Sequence, residues 1–220
     1  MTRKILMTML AAILFTAPAF AVPTLQVFVA GGTYDTETET WVVSSSTFDL
    51  YIISANEALS DVMVSMALNL PETSDPNGSV SVDVNSDTYD SWTFGTPYLL
   101  PPHDIYPAWY TEFNAGDFGL VGGVGNTNDG EFYDPSTMGY LANSSTLGEY
   151  KRFSIALSGA DFSHFDAYFY FQNQQQKTRI KFAPFSHDGE THGVVPEPGT
   201  LTLMGLGGLG MGLVRRLRKK

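Results

Sequence analysis

The chain contains no cysteine. Disulfides and thiolate chemistry are therefore excluded, as is lipid attachment at an N-terminal cysteine, and any fold must rest on its core alone. Basic residues are nearly as scarce. Of twelve Lys and Arg, two sit in the first four residues and five in the last six, which leaves Lys151, Arg152, Lys177, Arg179 and Lys181. Against the 22 acids of the same middle stretch, its net charge is near −17. Nucleic acid is excluded as a partner, because neutralising phosphates needs clustered Lys and Arg. Such an acidic surface suits solubility or divalent cations. Also missing are a sustained 3.6-residue apolar period between the two ends, a nucleophile motif and a phosphate loop. The four histidines, His103, His164, His187 and His192, are scattered, and none has a partner at zinc-ligand spacing on a helix.

Charge and apolarity are concentrated at the termini. Arg3 and Lys4 precede the apolar run Ile5 to Phe15, and Ala19-Phe20-Ala21 follows. That is the layout of a secretory signal peptide over residues 1–21, cleaved after Ala21 by the export machinery. At the other end, Val195-Pro196-Glu197-Pro198 is a stiff extended peptide, since each proline fixes its own φ and biases the residue before it. Thr200 to Val214 carries no charge and includes five glycines. Its length is marginal for a span, which needs about 17–25 residues. Lipid favours helix there because the backbone must bond internally. Arg215, Arg216, Arg218, Lys219 and Lys220 then form a basic stop, which keeps the C-terminus cytoplasmic at the inner membrane.

This tail resembles the PEP-CTERM sorting signal of Gram-negative bacteria. The matching parts are Val195 to Pro198, the Leu/Gly-rich span and the Arg215-Arg216 cluster. The resemblance covers about an eighth of the chain. It implies recognition of Pro196, Glu197 and Pro198 by an exosortase, a membrane cysteine protease-like enzyme that cuts near the motif. It further implies a producer of exopolysaccharide, a transient inner-membrane anchor, and delivery to the cell surface or extracellular matrix.

Residues 22–193 form the expected ectodomain. Runs such as Thr24 to Val29, Thr40 to Val43, Thr47 to Ile53, Ser79 to Val84, Arg152 to Leu157, Phe165 to Phe171 and Thr178 to Phe182 are β-rich and separated by turn formers. Val62 to Leu70 fits a strand, although its spacing also allows a helix. The fold class is therefore all-β: an antiparallel β-sandwich of jelly-roll or immunoglobulin-like type, with one C-terminal transmembrane helix. Between Tyr89 and Leu147 the pattern loosens into aromatic and glycine-rich loops. Gly32 to Trp41, Leu100 to Pro107 and Thr111 to Phe113 are similar to the choice-of-anchor domains found ahead of PEP-CTERM tails. That likeness implies an exported β-rich module without catalytic residues.

Four candidate chemistries stand beside blander readings. Asp83, Asn85 and Asp87 offer alternate oxygen ligands for calcium, as does the stretch Asn126 to Glu131, but neither has the full loop order of an EF-hand. Ordinary Asx turns account for both. Trp92, Tyr98, Tyr106, Trp109 and Tyr110 are amphipathic rings able to stack on sugars, with Trp92, Tyr106, Trp109 and Tyr110 the candidate carbohydrate contacts; core packing is the favoured reading of the same rings. His103, Asp104 and Glu112 make the best acid/base trio for a polysaccharide hydrolase. His187 to His192 resembles a metal cluster but reads as an exposed polar linker. The expected function is a non-enzymatic exported surface or exopolysaccharide-matrix protein that needs no cofactor.

Overall fold

A computed structural model describes residues 24–35, 37–38, 40–101, 105–124, 146–183 and 188–192. The leader, the tail, His103, Asp104, Asn126 to Glu131 and His187 lie outside them. No helix occurs among the described residues.

Two sheets face each other. In the first, β1 (Leu25–Val29), β4 (Thr47–Ala55), β11 (Leu147–Ser158), β6 (Ser81–Val84) and β7 (Asp87–Tyr89) pair in that order, and β10 (Gly122–Gly123) adds to β11. In the second the order is β2 (Thr33–Asp35), β3 (Thr40–Val43), β14 (Asp188–His192), β12 (Phe162–Gln172), β5 (Leu59–Leu68), β9 (Ala108–Phe118) and β8 (Thr93–Gly95), with β13 (Thr178–Phe182) also on β12. All pairs are antiparallel except β14 with β3. Val62 to Leu68 is thus strand, as its β-branched alternation favours over a helix.

Alternation decides what lies between the sheets. Phe48, Leu50 and Ile52 of β4 face Phe165, Val64 and Met66 of the second sheet in one apolar core. Edge-to-face rings tie the layers: Phe48 with Phe165 at 5.6 Å, and Phe28 with Trp41 at 4.8 Å. Lys151 also points inwards, with its ammonium 4.7 Å from the centre of the Phe118 ring and donating to the Ala115 carbonyl at 3.1 Å.

Two expectations change. The stretch from Tyr89 to Leu147 is not all loop, because it contains β9, an eleven-residue strand with a partner on each side. Nor is the segment before the tail an exposed linker, since Asp188–His192 is an interior strand between β3 and β12. Its composition is poor for β structure, but position compensates. Gly189 sits where an added Cβ would lie 2.8 Å from Val29 Cγ2, and buried Thr191 donates its hydroxyl to the Ser45 carbonyl at 2.9 Å.

Candidate functional site

The face of the second sheet turned away from the first is where chemistry collects. On β12, Phe165, Ala167 and Phe169 enter the core, so His164, Asp166, Tyr168 and Tyr170 must project from the opposite side. Register extends that face. Glu112 of β9 lies opposite Ser65 of β5, which lies opposite Asp166; one row over, Tyr110, Ala67, His164 and Glu190 follow across four strands.

The proline-rich segment after β8 folds back over this face. Leu100, Tyr106 and Ala108 pack on Ala67 and Tyr168 as a second, smaller apolar cluster, flanked by Tyr110, Tyr170 and Ile180. Tyr106 is pinned by donating its hydroxyl to Ser65 Oγ at 2.7 Å. Beneath it, the fully buried His164 ring lies between two acids, with Nδ1 2.9 Å from Glu190 Oε1 and Nε2 3.3 Å from Asp166 Oδ1. Glu190 is thereby hydrogen-bonded to the ring with Asp166 close on its other side, and the His164–Glu190 contact ties β14 to β12 through side chains.

Glu112 is different. Burial pushes its carboxyl above the ordinary carboxylate range, and its buried Oε1 has no hydrogen-bond partner among the described residues. Burial also raises the Tyr110 and Tyr170 phenols, and the Glu112 charge adds to both. Tyr170 further feels Tyr110 and Tyr98. These four groups form one electrostatic neighbourhood. At its rim, Tyr98 is 70% exposed, with its ring 6.1 Å from that of Tyr170, whose hydroxyl donates to the Tyr98 carbonyl at 2.9 Å.

The residues singled out from sequence separate in space. Trp92 is buried; its indole donates to the Val80 carbonyl at 2.9 Å, and Asn77 Oδ1 accepts from its backbone NH at 2.6 Å. Trp109 lies opposite Leu68 on the inward side at the sandwich end, donating to the Pro71 carbonyl at 3.1 Å beside Phe94. Tyr106 and Tyr110 belong to the outer face. The four carbohydrate candidates therefore do not share one surface. Of the acid/base trio only Glu112 lies within the described residues. Asp83 is opposite Thr88 and accepts its hydroxyl at 2.6 Å, whereas Asp87 is opposite Val84, so the two acids occupy opposite faces. Asn85 between them makes the turn at φ +56° and accepts from the Ser154 NH at 3.0 Å. Among the described residues, no group of three His, Asp or Glu is placed to hold a metal ion.

Ser65, Asp166, Tyr168 and Tyr170 escaped the sequence reading, while His164 figures there only as a scattered histidine and Glu190 only as part of the His187 to His192 linker. A signal was available in His164-x-Asp166, two titratable residues alternating with aromatic and apolar ones.

Downstream, β14 ends at His192. Residues 194–219 match the family model of the PEP-CTERM protein-sorting motif. The chain carries a PEP-CTERM sorting signal. That signal implies an exported protein sorted by an exosortase through a membrane-anchored stage. One residue, Gly193, separates the PEP-CTERM segment from the folded sheet. No curated protein and no solved structure matches the chain.

Proposed function

We propose that this is a non-enzymatic protein of the cell surface or exopolysaccharide matrix of a Gram-negative bacterium. A helix over residues 200–214 holds it in the inner membrane, with Arg215, Arg216, Arg218, Lys219 and Lys220 on the cytoplasmic side. Exosortase cleavage near Pro196-Glu197-Pro198 then releases it. The observation that carries this reading is the sorting-motif match at 194–219, following a β-rich body after a single residue. The acidic ectodomain suits life outside the cell without disulfides.

The non-enzymatic part has its own support. Glu112 has the raised carboxyl of a general acid, but Asp166 and Glu190, the acids nearest it in register, both lie against His164. Intact mass of the surface form tests the sorting step: loss of Arg215 to Lys220 is expected, and their retention would overturn it. Assay of the mature protein on matrix polysaccharides tests the rest, since glycan cleavage abolished by Glu112→Gln would make it an enzyme.

A further inference from the structure

We propose that Tyr110, Tyr170 and Glu112 of the outer face, with Tyr98 beside Tyr170, form a binding site for an uncharged polysaccharide chain. This deepens the surface reading above by naming the ligand class, and it rests on that reading only for where such a chain is met.

Tyr98 is the first observation. A tyrosine ring 70% exposed leaves apolar area in water, and neighbouring Leu99 is 43% exposed as well. Their position is built. Leu100 is buried in the small outer cluster, its NH is bonded to the Pro97 carbonyl at 3.1 Å, and the Tyr170 hydroxyl holds the Tyr98 carbonyl. Leu99 adopts φ +62°, a conformation that a non-glycine residue rarely takes without compensation from its surroundings. The chain thus spends strain to present this ring outwards.

Shape and chemistry come next. The Tyr98 and Tyr170 rings stand 47° apart at 6.1 Å, so they diverge instead of covering each other. Tyr110 stands edge-on to Tyr106 at 6.3 Å on the same face. Each ring offers an apolar body and a polar tip, which matches the alternating C–H faces and hydroxyl rims of sugar rings. Glu112 supplies the convergent polar group such sites need: a half-buried carboxyl whose Oε1 is not used by the described residues. The buried Tyr168 hydroxyl of the same face has no partner among them either.

Charge selects among glycans. The ectodomain carries a net charge near −17, which repels uronic or sulfated chains. Among the described residues no Lys or Arg stands on this face. Arg179 and Lys181 alternate with Ile180 and point the other way; Lys151 and Arg152 belong to the first sheet; Lys177 lies in the turn between β12 and β13.

The test uses the full-length protein in detergent, so it stands apart from sorting. Retention is measured on insoluble cellulose, curdlan and mannan, with alginate as the acidic control. Retention on at least one neutral polymer is expected, with a tenfold or greater loss in Tyr98→Ala and a smaller loss in Tyr170→Phe, which keeps the ring and removes its hold on Tyr98. Unchanged tryptophan fluorescence certifies that both variants are folded. Failure of the wild type on every neutral polymer, equal binding by Tyr98→Ala, or preferential binding to alginate would each overturn the proposal.

Discussion

Replacing Glu112 by glutamine keeps the shape of the side chain and removes its charge. Burial raises the Glu112 carboxyl above the ordinary value of 4.5, so the folded state holds this proton more tightly than the unfolded state does. Below about pH 4 the carboxyl is neutral in both states and costs nothing. As pH rises through the folded-state value, ionisation is opposed by burial, and native stability falls. A buried polar oxygen without a donor costs about 1–3 kcal/mol. The amide keeps a polar atom in the same place and the carboxyl is only half-buried, so solvent screening reduces the gain: Glu112→Gln should raise stability by less than that at pH 8, and by little at pH 4. For a domain of this size each kcal/mol corresponds to roughly 2–4 °C in Tm. All three tryptophans, Trp41, Trp92 and Trp109, lie in the sandwich, so urea unfolding followed by their fluorescence reads that body alone. A second readout is independent of stability. The Glu112 charge contributes to the raised Tyr110 and Tyr170 phenols, so tyrosinate absorbance in the variant should develop at lower pH. Destabilisation of the variant at pH 8, with unmoved phenols, would show that the carboxylate is well solvated by partners, and the reasoning would fail.

Other perturbations probe the scaffold. Phe165→Ala removes a fully buried ring stacked edge-on with Phe48 and should cost about 3–5 kcal/mol in urea unfolding. Asn85→Ala places alanine at φ +56° and removes the acceptor for the Ser154 NH, for a loss of about 1–2 kcal/mol. Asp83→Ala should leave the response of Tm to calcium or a chelator the same as in the wild type, because Asp83 and Asp87 face opposite ways; a calcium-dependent rise lost in that variant would refute that geometry. Gly148→Ala drives a Cβ into the Ser54 carbonyl oxygen and towards Val124 at 2.7 Å. The pairing of β4 with β11 must shift to accept it, at about 1–3 kcal/mol or more, visible as a lower unfolding midpoint.

Much of the sandwich is legible in the sequence because its central strands are β-branched and aromatic. Thr47 to Ile53, Phe165 to Phe171 and Thr178 to Phe182 announce themselves by alternation or by apolar density. β9 is hidden because its outer positions are polar or half-exposed and prolines precede it. β14 is hidden more deeply. Asp-Gly-Glu-Thr-His has no strand propensity to speak of, and two neighbouring strands impose the conformation. Its parallel pairing with β3 joins residues nearly 150 positions apart, which no local pattern reports. The site follows the same rule. Glu112 and Tyr110 attract notice individually, but their neighbours Ser65, Asp166 and Tyr170 are known only once register is fixed across three strands. Trp92 and Trp109 pack with the core, the reading favoured for them, yet sequence alone leaves the sugar alternative open because amphipathic rings look alike whether they plug a core or face solvent.

The single residue between β14 and the sorting segment sets a short leash. At about 3.3–3.6 Å per extended residue, Pro196 can stand no more than about 14 Å from His192, the end of a strand wedged in mid-sheet. If the proposed cleavage takes place there, the protease must work close to a folded body, beside Ser45 and Phe162. Under the sorting proposed above, the end of the sandwich that carries His192 therefore faces the bilayer for as long as the chain is anchored.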